Sequence, residues 1–319
     1  MRRAIVVGCA LLALGCVLPP PRSAPLEGDP SSTLQPVARL GRWDGARFVT
    51  VAPGSVPPSH LRVIVHGWAP GWGRAVRNAP GLLAWDAIDA RGRQFEPWMR
   101  DLARTLVAHD PHTIVVAYSW LDDAATGRFP LAQRDAAAHV RPHGRRLARA
   151  IEAATAPEFE AQGGQVHLLG HSYGGRVASE AAVAMEHAPA QLTLFDAPDA
   201  PLVWVTGSQM HLAELLPALP LGWGAGRTFV ENYVAMVGAR YTSQPLGLGE
   251  LVEIALAPPH GAFDYRHRHN YPMRFYASTA GTPFGLGWSP LTPGAQAPAP
   301  GCWEQRFGEI ALDRGCSGL

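Results

Sequence analysis

Ser172 stands in the run GHSYGG, residues 170–175, between the apolar stretch QVHLL (165–169) and an Ala-rich stretch that begins near Arg176. A serine hydroxyl is a weak nucleophile at neutral pH. It does covalent chemistry when a base, usually histidine, takes its proton and a buried carboxylate holds that base. Glycines two before and two after the serine suit a tight strand-to-helix turn that lifts the hydroxyl out of a sheet. Gly170 and Gly174 face each other where strand and helix nearly touch, leaving no room for a side chain, and Gly175 adds clearance. With 34 glycines in the chain the pattern alone is weak. The order strand, motif, helix is what singles it out.

The acid and the base must then stand at carboxyl ends of strands, on the same edge of the sheet. Asp196 directly follows QLTLF (191–195), one helix after the serine, and is preferred over its nearest competitor, Asp199. An aspartate before a proline-containing turn is the plainer reading of either. For the base, His260, His267 and His269 all follow the last predicted strand, and position does not separate them. His267 and His269 also form an H-x-H pair, but no third ligand of suitable spacing stands near it, so no metal is expected. The developing oxyanion needs two N–H donors. The backbone of Tyr173, just after the serine, is one; VHGW (65–68) offers the other, with Gly67 letting the backbone approach and Trp68 N–H donating.

These residues need a frame. Strands are predicted at 47–51, 61–65, 113–120, 165–169, 191–195, 229–237 and 250–256, and helices at 97–109, 131–155, 175–186, 210–219 and 272–278. The runs LRVIV and TIVVAYSW are continuously apolar, as parallel strands buried on both faces are. Strand and helix alternate, which predicts a mostly parallel sheet covered on both faces and a single α/β domain over 39–319, with 281–319 a Gly/Pro-rich extension. The connection 69–95, with Trp72 and Trp85, is expected in the cleft wall. Arg141, Arg145, Arg146 and Arg149 read as a solvated helix face.

VIVHGW, TIVVAYSWL, VHLLGHSYGG and LTLFDAPD, in that order, make the chain resemble serine lipases and esterases of the α/β-hydrolase superfamily, nearest the group that includes pancreatic lipase. The resemblance spans about residues 63–199. It implies an α/β-hydrolase fold and hydrolysis of an acyl ester or lipid substrate through an acyl-enzyme, with no cofactor. Asp196 is the acid by that pattern. The family's histidine precedes a helix and stands six and seven residues before two aromatics, here Phe275 and Tyr276, which implies His269 as the base. The chain departs from the group in having Tyr173 where leucine is common, Ala197 where proline follows the aspartate, and no appended β-sandwich. Those departures bear on substrate. The apolar segment 200–228, with Trp204, Leu215, Leu216 and Trp223, is a candidate lid or acyl-chain wall. The same triad would also serve an acyltransferase, and the same fold a non-catalytic envelope lipoprotein.

The composition excludes other classes. The net charge is +1, and −1 once Arg2 and Arg3 are set aside, so nothing points to nucleic acid. All 27 basic residues are arginine. Residues 1–15, two arginines and a short apolar run, read as a secretion signal too short to span a bilayer. LLALGC resembles the lipobox of bacterial lipoproteins, which implies lipid on Cys16, a tether over the proline-rich residues 16–38, and attachment to a membrane surface in a bacterial cell envelope; a plain secreted or periplasmic protein is the alternative. Cys302 and Cys316 are expected to pair in that oxidising compartment, contributing about 3 kcal/mol. Nothing in the sequence fixes the oligomeric state.

Overall fold

The computed structural model describes residues 36–314 apart from 80, 90, 127–130, 200–210, 236–244, 258–264, 293 and 306–311. The expected signal, Cys16 and nearly all of the expected tether lie outside the described residues.

Its frame is one sheet of strands β1 (Leu40–Trp43), β2 (Phe48–Thr50), β3 (His60–Val65), β4 (Thr113–Tyr118), β5 (Gln165–His171), β6 (Gln191–Phe195), β7 (Phe229–Val234), β8 (Val252–Ala255), β9 (Gly301–Gln305) and β10 (Leu312–Arg314). Their order is β10-β9-β8-β7-β6-β5-β3-β4-β1-β2. From β4 through β9 every neighbouring pair is parallel; β1 with β2, β1 with β4 and β9 with β10 are antiparallel. Val63, Ile64 and Val65 have no exposed surface, and each such side chain contributes roughly 1.5–3 kcal/mol by leaving water. This is the mostly parallel sheet with helices on both faces that the alternation predicts.

Helix α1 (Trp98–His109) starts behind Pro97 and buries Trp98, Met99, Leu102, Ala103 and Leu106, the spacing of one apolar face. The helix expected over 131–155 is two, α2 (Leu131–Ala138) and α3 (Val140–Ala154), broken at His139. Pro142 explains the break: it lacks an N–H, its ring clashes with the carbonyl four residues back, and so it is tolerated only in a first turn. Along α3, Arg141, Arg145 and Arg149 are exposed, as expected. Arg146 turns inward to within 3.8 Å of Asp123. Helices α4 (Tyr173–Ala184) and α5 (Tyr271–Ser278) complete the layers, α4 packing on α3 and α5 on α1.

Strands β1, β9 and β10 are absent from the sequence-based reading. β9 and β10 fall in the stretch expected to be a Gly/Pro-rich extension; β9 instead pairs with β8, so this part of the chain is an edge of the sheet. Neither has a periodic apolar pattern, and their partners define them. Trp85 is also not in a cleft wall. It is buried against Phe48 and over Gly41, where any Cβ would lie 2.6 Å from its ring.

Beneath the sheet's centre Glu231 is fully buried and accepts from Gln191 Nε2 (2.8 Å), Thr193 Oγ1 (3.0 Å) and the Tyr233 hydroxyl (3.0 Å). Burial pushes its carboxyl up to about 8 in spite of those three donors. The folded state therefore holds a proton that the unfolded chain releases above its ordinary value of 4.5. Stability from this group is complete below that value and is lost as pH rises toward 8. Glu231→Gln is expected to flatten the fall in Tm between pH 5 and pH 8; thermal melts at both pH values, wild type beside variant, check it.

Candidate active site

The elbow is built by close approach. Ser172, between the end of β5 and the first residue of α4, has φ 55° and ψ −129°. This strained conformation is one that only a well-determined turn holds in a non-glycine residue. Its N–H donates to Phe195 O (2.9 Å) and its carbonyl accepts from Gly175 N–H (2.9 Å), which binds the turn to the end of β6 and to its own helix. A Cβ on Gly170 would lie 2.5 Å from Gly174 O and Gly175 Cα; one on Gly174 would run into the carbonyl oxygens of Val65 and His66. All four obstacles are backbone, so neither strand nor helix can yield. Gly174→Ala is expected to cost about 1–3 kcal/mol of stability, read as a lower urea midpoint, while an alanine at the exposed Gly163 serves as the comparison for a glycine strained by φ alone.

Asp196 directly follows β6 and is fully buried, with φ 47°. Its N–H donates to Tyr233 O (2.8 Å), and its Oδ1 accepts from Ala235 N–H (2.9 Å). The other carboxylate oxygen faces His269: Nδ1 to Oδ2 is 2.7 Å. His269 closes the short helix Tyr265–His269 just before α5, as the family pattern implies. With Nδ1–H on the carboxylate, Nε2 is the imidazole's basic nitrogen. The ring lies 4.5 Å, centroid to centroid, from His171, the residue before the serine, and His171 Nε2–H donates to His269 O (3.0 Å). Burial first, then the neighbouring His269, holds His171 well below the usual histidine range, so it stays neutral.

The competing residues go elsewhere. Asp199 Oδ2 takes His211 Nδ1 (2.9 Å) and Oδ1 takes Ala213 N–H (3.2 Å), so Asp199 fastens the short helix Leu212–Leu215. His267 is exposed on the same short helix as His269, and His260 lies outside the described residues. Trp204 does too. Leu215 and Leu216 are core side chains beside α4. Trp223 stands at the opposite edge of the sheet, in a cavity with Gln165 and Val166 from the start of β5. Trp223 therefore forms no lid or acyl-chain wall over the serine.

The turn after β3 comes against the elbow: a Cβ on Gly67 would lie 2.9 Å from Ser172 Cβ and 3.1 Å from His171 O. Among the described residues Trp68 N–H has no acceptor, while its indole donates to Thr126 Oγ1 (2.7 Å). Tyr173 N–H stands in the first turn of α4, at the positive end of that helix. The sequence reading missed what fixes this turn. Trp120 N–H donates to His66 Nε2 (3.1 Å) and Trp120 Nε1–H to His66 O (2.6 Å), and the two rings stack at 5.7 Å. His66 Nδ1–H then donates to Gly67 O (2.9 Å). Burial lowers His66 to about 4, so the clamp keeps its neutral tautomer. His66 reads in sequence as a strand-ending residue, and only its adjacency to Gly67 signals more.

No family model and no curated protein matches the chain. It does resemble solved structures. An α/β serine hydrolase without lid from Xanthomonas campestris is 13% identical over 78% of this chain and 90% of that one, with a TM-score of 0.34. The NocB thioesterase domain, in covalent complex with a fluorophosphonate nocardicin G analogue, is 17% identical over 76% and 100%, at 0.34. LpqC, a poly(3-hydroxybutyrate) depolymerase from Bordetella parapertussis, is 18% identical over 80% and 86%, at 0.31. At such scores and identities these likenesses carry no argument about chemistry.

Asp122, Asp123 and His143 also gather their ligand atoms within 4.8 Å of one another. Arg39 already grips both oxygens of Asp122 (2.8 and 2.6 Å), and His143 Nε2 is 2.7 Å from Asp123. A cation there would have to displace the guanidinium, so the cluster is an ion-pair network tying the N-terminal segment to the end of β4. Among the described residues no helix is long and apolar enough to cross a membrane.

Proposed function

We propose that the chain is a serine carboxylic-ester hydrolase, a lipase or esterase of the kind the pancreatic-lipase resemblance implies. One observation carries the reading: a strained serine between two glycines that admit no side chain, on the strand beside the one ending in the buried Asp196 that holds His269. In this reading Ser172 Oγ attacks the ester carbonyl while His269 Nε2 takes its proton. Asp196 keeps the imidazole in the Nδ1–H tautomer and stabilises the imidazolium. Trp68 and Tyr173 N–H groups receive the oxyanion. Collapse of the tetrahedral intermediate expels the alcohol, protonated by His269, and leaves an acyl-serine. Water, deprotonated by the same histidine, then releases the acid. That the His66–Trp120 clamp holds the turn carrying Trp68 N–H supports donors that need no reorganisation at that moment.

The test is labelling by a fluorophosphonate probe followed by peptide mapping, with the label expected on Ser172. Wild-type protein that is folded yet unlabelled would overturn the reading and favour a binding role. An ester panel over acyl length, run with and without a lipid interface, separates lipase from esterase.

Lipid on Cys16 and a Cys302–Cys316 disulfide belong to the same proposal. Support for the second comes from the strand register: Arg314, two positions before Cys316 in the sequence, pairs with Trp303, the neighbour of Cys302. Intact mass of the C-terminal fragment is expected to rise by about 2 Da on reduction; no rise would remove the disulfide.

A further inference from the structure

At the amino ends of β5 and β6, on the edge opposite Ser172, lies a cavity of about 540 Å³, within the range of small-molecule sites. Its strand-side wall includes Val166, and Ser172 stands six positions further along the chain, past the end of β5, roughly 20 Å of extended chain. The cavity therefore has no part in the ester chemistry.

Three features make it more than a surface dent. Among the described residues Trp223 is one of the few large apolar side chains left exposed, at 38%, yet its ring is not loose. Its Nε1–H donates to Trp288 O (3.1 Å), and Trp288 is itself buried and packed on Trp303. The loop that carries Trp223 places Gly222, Gly224 and Gly226 at φ 138°, 114° and 69°, so the turn around the indole needs glycine at each position. The lining also carries both signs of charge: Glu160 Oε2 pairs with His187 Nε2 at 2.5 Å, and the exposed Arg227 lines the same cavity as Trp223.

An anion would meet Glu160 here, and a cation would meet Arg227. A flat apolar ligand would cover the indole but leave the rim's donors and acceptors unused. A ligand with one apolar C–H face and an edge of hydroxyls, each both donor and acceptor, satisfies ring and rim together. We propose that this cavity is a carbohydrate-binding site, in which a neutral sugar ring stacks on Trp223, accepts hydrogen bonds from Arg227 and donates hydroxyl hydrogens to the Glu160 carboxylate that His187 holds. Such a site would hold the protein on a glycan while the opposite edge of the sheet stays open to its own substrate.

Isothermal titration of the full folded chain with three neutral probes, the hexamers of N-acetylglucosamine, of β-1,4-linked glucose and of α-1,4-linked glucose, tests it. At least one is expected to bind with Kd on the order of 1 mM or tighter. Trp223→Ala should weaken that binding about tenfold or more, Trp223→Phe should retain most of it, and Arg227→Ala should weaken it with the ring untouched. Circular dichroism of each variant reports folding, so the result does not depend on whether Ser172 is a nucleophile. No heat with any of the three sugars, or equal binding by Trp223→Ala, overturns the proposal. So does binding of a plain aromatic such as phenol in preference to every sugar.

Discussion

Ser172→Ala is expected to lower turnover of short acyl esters by about 10⁴–10⁶-fold and to abolish fluorophosphonate labelling, with the fold unchanged. The size follows from what is removed. Without the hydroxyl there is no acyl-enzyme, and only the oxyanion donors and substrate positioning remain to speed direct attack by water. The methyl group of alanine fits wherever the serine Cβ already fits, and the turn's hydrogen bonds to Phe195 O and Gly175 N–H are backbone bonds that the substitution leaves alone. Rates with a p-nitrophenyl ester, together with probe labelling of both proteins, check it. A variant that still labels at the wild-type rate would place the nucleophile at another residue.

Asp196→Asn has the second-largest expected effect, about 10⁴-fold in kcat. Asparagine keeps an acceptor for Ala235 N–H, but an amide turned toward His269 Nδ1 offers N–H where the imidazole needs an acceptor. The ring then favours the tautomer with its proton on Nε2, which cannot take one from serine. Asp199→Asn is the comparison. It loses only the carboxylate that holds His211 and the start of the helix Leu212–Leu215, so kcat is expected to stay within a few-fold. Comparable losses in the two variants would mean that the Asp196–His269 pair is structural.

Much of this was legible in the chain. QLTLF followed by Asp196, and VHGW after LRVIV, sit at carboxyl ends of strands because apolar runs bounded by Gly, Asp and Pro are recognisable one at a time. The histidine was not legible from its own surroundings. His260, His267 and His269 all follow the same strand and fall within ten residues of one another, and only a family pattern favoured the last. In space His267 is exposed while His269 meets Asp196 across 73 positions of sequence. The His66–Trp120 clamp joins positions 54 apart and has no local signature either. Trp223 reads as part of a lid because it stands in an apolar segment, yet the chain carries it to the far edge of the sheet.

By itself, then, the sequence determined what neighbouring residues decide. The glycine-flanked turn at Ser172, the parallel strands and the carboxylate at the end of β6 all depend on sterics and periodicity within about ten residues. The tertiary structure decided what is set by contacts between distant segments: the meeting of His269 with Asp196, the separate task of Asp199, the clamp behind Trp68 N–H, and the joining of β9 to the sheet. Local pattern encodes an element and its ends, whereas the pairing of two side chains far apart in the chain depends on how every element between them packs.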